Sequence, residues 1–172
     1  LHQPSRNAYE QSKRDAELLI HSARSDFDQV TIYRPSIIVG EYSSGFTTTF
    51  HGFYVPLKIL KTLADNAQWA EGAPHFWSAL GMAAGDCKNL VPVDWVSTVM
   101  ARIIADPALH GRTYHITNKH PVPVALIGEV FSQAIGMKAA GTPSAGASAV
   151  IDAFVAQMQS YRGYLDNDPV FD

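Results

Sequence analysis

The sequence carries a single cysteine, Cys87, among 172 residues. An internal disulfide is therefore excluded, and with it a stapled secreted scaffold; a reducing, cytoplasmic setting is the expected one. No apolar run approaches the ~20 residues that a membrane-spanning helix needs, so no membrane span is expected. A basic n-region followed by an apolar h-region, the mark of a signal peptide, is also missing. Lysine and arginine number 13 against 16 acidic residues and are scattered, which leaves no basic stripe for nucleic acid. The seven histidines, His110, His115 and His120 among them, fall into no metal-ligand spacing and no H-E-x-x-H, so no metal is expected. There is no G-x-S-x-G elbow for a serine hydrolase. The acidic neighbour Asp86 marks Cys87 as an inert thiol.

What is present suffices for a core. The chain is 47% hydrophobic with a net charge of -3, the composition of one globular domain or a large piece of one. Between Asn7 and Arg24 the residues Tyr9, Ser12, Ala16, Leu19, Ile20 and Ala23 recur three or four apart, which predicts a helix with one buried face and Asn7 as its N-cap. Val30 to Arg34 is short and β-rich and stops at Pro35. The apolar run Ile37 to Val39, closed by Gly40, follows; together they predict a buried strand running into a loop. From Glu41 to Gly85 aromatic residues are dense (Phe46, Phe50, Phe53, Tyr54, Trp69, Phe76, Trp77) and one helix is expected near Pro56 to Asp65. This composition suits a cap or binding region, or an ordinary packed subdomain.

Asn89 to Val93 predicts a strand, and Asp94 stands as N-cap candidate for a helix through Ile104. Arg112 to Thr117 predicts a strand, Val124 to Ile135 a helix stopping at Gly136, and 138–148 a flexible connection to a last helix from about Ala149 to Tyr161. The alternation defines an α/β class with at least two parallel strands among three expected. The organisation expected is 1–40 for the catalytic helix and following strand, 41–88 for a small, mainly helical substrate-binding region, 89–137 for returning strands and helices, and 138–172 for the connection, helix and tail.

The sharpest local signal is Tyr9-Glu10-Gln11-Ser12-Lys13. Four residues apart on a helix, the phenol and the ammonium share a face, and a cation there helps the phenol exchange a proton with a carbonyl or hydroxyl. The same spacing also describes a tyrosine at the edge of a core beside a solvated lysine.

Three segments in order, Asn7-Ala8-Tyr9-Glu10-Gln11-Ser12-Lys13, then Tyr33-Arg34-Pro35-Ser36-Ile37-Ile38-Val39-Gly40, then Leu90-Val91-Pro92-Val93-Asp94-Trp95-Val96, resemble the extended short-chain dehydrogenase/reductases. The similarity is greatest to the male-sterility, fatty acyl-CoA reductase and thioester-reductase branch, in which a segment like Phe50-His51-Gly52-Phe53-Tyr54 follows the Arg-Pro-Ser stretch. The resemblance spans about residues 5 to 120. It implies Tyr9 as catalytic acid/base, Lys13 as its tuning partner and as a ligand of the nicotinamide ribose, and Pro35, Ser36 and Ile38 against the nicotinamide of NAD or NADP. It implies hydride transfer to the carbon of an acyl thioester, from acyl-CoA or an acyl carrier, or of a related carbonyl. Phe50, Phe53 and Tyr54 become candidates for the substrate site, and Asp94 matches a position that is mainly structural in the family.

The departures bear on what the chain does by itself. No G-x-G-x-x-G or G-x-x-G-x-x-G occurs, so the turn that binds pyrophosphate in the family is absent. Only eight residues precede Tyr9. The resemblance thus implies the C-terminal part of a Rossmann-like doubly wound sheet, with the N-terminal dinucleotide-binding half lying upstream. The strand from Val30 to Arg34 would then have an open edge through which the chain could self-associate. Two rival functions remain: a sugar-nucleotide epimerase or dehydratase of the same superfamily, and a non-catalytic binding module that retains the fold.

Overall fold

The computed structural model of the chain describes residues 8–50, 52–64, 82–83, 85–136 and 145–158. The expected N-cap Asn7, the aromatic residues Trp69, Phe76 and Trp77, residue His51 and the tail from 159 onward lie outside the described residues.

Residues rich in helix formers, with no glycine, proline or β-branched run, make α1, Ala8–Ser22. Glu10 in its first turn and His21 in its last complement the helix dipole. The helix lies where the periodicity predicts it, but the expected buried face is absent: no residue of α1 is buried, and Leu18, Leu19 and Ile20 are exposed. Its apolar stripe is set by sequence, whereas burial requires an element laid over that stripe.

Residues 32–39 form two strands in succession, β1 (Ile32–Pro35) and β2 (Ile37–Val39). The helix α2 follows over Tyr54–Ala64, then β3 (Cys87–Lys88) and β4 (Leu90–Pro92). Helix α3 spans Val93–Ala105, and beyond it come β5 (Thr113–Ile116), β6 (Val122–Pro123), α4 (Val124–Ala134) and α5 (Ala145–Met158). The architecture is mixed α/β.

Where one sheet with three strands is legible in the sequence, the described residues hold three two-stranded pairs. β1 runs parallel to β5 with Tyr33 opposite Tyr114 and Arg34 opposite His115; β2 runs parallel to β4 with Ile38 opposite Val91. β3 and β6 pair antiparallel. The last helix begins at Ala145, four residues before the expected Ala149.

Pro92 and Pro123 each cap the helix that follows, α3 and α4, from an extended conformation. Proline suits this place because the first helical amides need no partner in the helix and its ring already holds φ near the helical value. Asp94, expected as the N-cap, instead sits inside the first turn of α3, and its carboxylate accepts the Tyr42 backbone N–H at 3.0 Å. One residue past its C-cap Ile135, helix α4 is closed off by Gly136, whose φ of +70° costs little without a side chain and whose N–H reaches the Gln133 carbonyl at 3.2 Å.

The core sits between the parallel pairs and α3. Val91, Val96 and Ile116 are its buried centre, and Tyr33, Ile38, Val99 and Met100 pack against them. Tyr33 and Ile116 turn to this face. Arg34 and His115, each one residue out of phase with them in the pleat, turn to the other. No helix among the described residues is long and apolar enough to cross a membrane.

Candidate active site

Three groups of side chains converge on the strand residues 34–40. The first is on α1. Tyr9 is half exposed, and the Lys13 ammonium lies over its ring, 5.3 Å from the centroid. The i,i+4 pair anticipated from the sequence is therefore formed, as a cation resting on an aromatic face. Ser12, between them in sequence, turns its hydroxyl back to the Tyr9 carbonyl at 2.8 Å.

The same four-residue row continues through Glu17 and His21. Glu17 receives a two-pronged contact from Arg34 of β1: Nε donates to Oε2 at 3.1 Å and Nη2 donates to Oε1. His21 Nε2 stands 3.4 Å from Oε1 of the same carboxylate. Arg34 Nη1 also donates to His115 Nε2 at 3.2 Å; guanidinium nitrogens have no acceptor capacity, so the imidazole nitrogen accepts and that ring is neutral. The electrostatics agree. Hydrogen bonds from Arg34 hold the Glu17 carboxyl below its ordinary pKa, against the opposing effect of burial. Burial first, and the Arg34 charge second, hold His115 below the usual imidazole value. This cluster is the feature that reading along the sequence overlooks. Glu17 continues the Tyr9–Lys13 spacing, which is a local signal, but its partners lie on two other elements.

The second group occupies the junction of β1 and β2. Pro35 ends β1, Ser36 stands between the strands and Ile38 is the middle of β2. The Ser36 N–H goes to the Ile116 carbonyl at 3.1 Å, and the next amide, Ile37 N–H, goes to the Asn89 carbonyl at 3.2 Å. The chain thus hands over from β5 to β4 within one residue. Asn89 ties the handover together: its Oδ1 accepts from the Ser36 hydroxyl at 2.8 Å and from the Asn118 N–H at 2.8 Å, while its Nδ2 donates to the Asn118 carbonyl at 2.9 Å. The Ile38 side chain packs on the core.

The third group is aromatic. Phe50 and Phe53 meet Tyr54 edge to face, with centroids 5.7 and 5.5 Å away, and the Lys58 ammonium stands 5.8 Å over Phe50. Tyr54 connects this group to the strand: its hydroxyl accepts the Gly40 N–H at 2.7 Å. Gly40 is required there, because a Cβ would collide with the carbonyl of Gly45 in the turn that follows. Glu41 and Phe46 close that turn with a backbone hydrogen bond of 3.0 Å.

All the described candidates therefore attach to one stretch of chain. The helix that carries Tyr9 and Lys13 is tied to it through Glu17 and Arg34, Pro35 and Ser36 lie in it, and Phe50, Phe53 and Tyr54 join it at Gly40. Ligands of parallel α/β folds bind beyond the carboxyl ends of the strands, and Pro35 is the carboxyl end of β1. With respect to a nicotinamide dinucleotide, the phenol of Tyr9 and the ammonium of Lys13 lie on an exposed helix face and are donors of the kind its ribose and carboxamide would take. No Gly-rich turn opening a helix is present in the sequence to hold the pyrophosphate.

Comparison with the curated proteins finds no match to the chain. A comparison with protein families does find one: the profile of the male sterility proteins, a family of NAD-binding domains, matches residues 1–100. That span holds α1, the β1–β2 handover, the aromatic group and β4. More than half of the chain is thus accounted for, and it belongs to the male sterility protein family of NAD-binding domains.

Proposed function

We propose that the chain carries the proton-transfer half of an NAD(P)-dependent reductase that acts on an acyl thioester or a related carbonyl, Tyr9 being its acid/base. The observation that carries this reading is the Tyr9–Lys13 pair, formed on an exposed helix face and fastened through Glu17 and Arg34 to the strand end at Pro35–Ser36. The bound nicotinamide would supply hydride at C4. The chain's own work is then to place a carbonyl oxygen at the Tyr9 hydroxyl, to deliver the phenolic proton as negative charge builds on that oxygen, and to hold the Lys13 charge nearby. Lys13 also suits the ribose hydroxyls. Pro35 and Ser36 form the wall of the nicotinamide site, with Ile38 contributing through its backbone.

Phe50, Phe53 and Tyr54 form the apolar side of the substrate site, and this favours an acyl chain over a sugar nucleotide. The phosphate-binding turn lies outside these 172 residues in this reading, so the chain alone is inactive.

The test uses the full gene product that contains this chain. NAD(P)H oxidation is followed with acyl-CoA and, in parallel, with UDP-sugars. Tyr9→Phe is expected to lower acyl-CoA turnover by about 10²–10⁴-fold. Unchanged turnover in that variant removes Tyr9 from the chemistry, and activity confined to UDP-sugars selects the epimerase or dehydratase instead.

A further inference from the structure

Helix α1 carries Tyr9 and Lys13 yet buries none of its residues, so packing alone does not fix its rotation about its own axis. The polar ties to the sheet supply what packing leaves open. The guanidinium of Arg34 meets the Glu17 carboxylate with two parallel contacts, and a planar fork on a planar acceptor sets orientation as well as distance. Both members are shielded from solvent, with side-chain exposures of 30% and 15%. Each is braced from behind, Arg34 by His115 and Glu17 by His21.

The placement of the pair along the chain is what gives it consequence. Glu17 is one helical turn from Lys13 and two from Tyr9, roughly 6 and 12 Å along the axis. Arg34 directly precedes Pro35 and Ser36. One ion pair thus spans the two halves of the proposed site, the proton donor on the helix and the nicotinamide wall on the strand. A turn of α1 by 10–20° about its axis would move a side-chain tip by about 1–2 Å, which is enough to disturb a reacting geometry.

We infer that Glu17 and Arg34 are positioning residues, whose forked contact sets the register of the Tyr9–Lys13 face against the strand end. This rests on the proposed reductase reading. A lysine at position 34 keeps the charge and loses the fork, so it separates orientation from electrostatics.

The experiment is a double-mutant cycle in the full gene product, with wild type, Arg34→Lys, Tyr9→Phe and the double variant assayed by single-turnover NAD(P)H oxidation with acyl-CoA. Arg34→Lys is expected to lower the single-turnover rate about tenfold, and in parallel steady-state assays to lower kcat with KM within twofold, and to cost nothing further once Tyr9 is phenylalanine. A role confined to stability predicts otherwise: an unchanged kcat in the folded variant, or the same loss in both backgrounds, overturns the inference. Glu17→Gln, close in shape, serves the same cycle if Arg34→Lys does not fold, and failure of both to fold marks a purely structural clamp and also overturns it. Should Tyr9→Phe itself retain full turnover, the reductase reading falls and takes this inference with it; loss in Tyr9→Phe without coupling to Arg34 sinks the inference alone.

Discussion

On one face of the β1–β5 pair, Ile116 and Tyr33 sit with Val91, Val96, Val99 and Met100, and α3 closes over them. On the other face the same two strands present Arg34 and His115 to a helix that buries nothing. A dry face is held by area removed from water, which is indifferent to pH and tolerant of small rotations. A face held by charge-assisted hydrogen bonds is directional and depends on protonation. The catalytic candidates ride on the second, so the part of the molecule that must be aimed is the part fastened by directional contacts.

The comparison can be broken most forcefully from the dry side. Ile116→Ala should cost about 2–4 kcal/mol, read as a lowered urea midpoint, and the loss should be the same at pH 5.5 and pH 7.5. A smaller effect is expected from the wet side, where Glu17→Gln should cost about 1–2 kcal/mol near neutral pH. Here the sign of the pH dependence follows from the direction of the shift. The folded-state pKa of Glu17 is depressed, so its contribution is complete above the unfolded value and is lost as pH falls through the folded one. The difference between wild type and Glu17→Gln should therefore shrink in acid. His115, whose imidazole resists protonation in the fold, lowers the stability of both proteins as pH falls below about 6.5, because the unfolded chain takes up that proton first, and it therefore largely cancels from the difference. An acid-insensitive difference would mean that the two faces are held alike.

The smallest effect sharpens the boundary between them. Tyr114 stacks on Tyr33 with centroids 6.3 Å apart, while its hydroxyl donates to the Leu109 carbonyl at 2.7 Å. Tyr114→Phe keeps the stack and should cost about 1 kcal/mol, with no change between pH 5.5 and 7.5 in the denaturation midpoint difference.

Much of this was legible along the chain because its causes are local. Helix α1 follows from its composition, α4 from its spacing and from Gly136, and the Tyr9–Lys13 contact from four-residue periodicity. Other features have no local cause. β3 and β6 are two residues each and exist because they meet, so no alternation announces them. Asp94 carries every local mark of an N-cap, but Pro92 takes that place and frees the carboxylate for Tyr42. Nothing along the chain marks the partner of Glu17: Arg34, seventeen residues away, is brought against it only by the fold. The buried face expected of α1 is the converse case, in which a stripe written in the sequence has no covering element among the described residues.

The handover at Ser36 also bears on the order in which the chain assembles. Joining β1 to β5 directly closes a loop of 81 residues, as the contact from Arg34 to His115 shows, whereas Ser36 and Asn89 are separated by 53. Once Asn89 is docked, Asn118 is only 29 residues from it. Entering through Asn89 therefore replaces one long closure by two shorter ones, and the second is favoured over direct closure by about 1 kcal/mol of chain entropy. The β2–β4 pair should form first and template β5, an order that pulse-labelled hydrogen exchange would reveal as earlier protection of the Ile37 amide than of the Ile32 amide. One asparagine at a strand junction would in that case act as the folding relay of the molecule as well as a brace for its strand end.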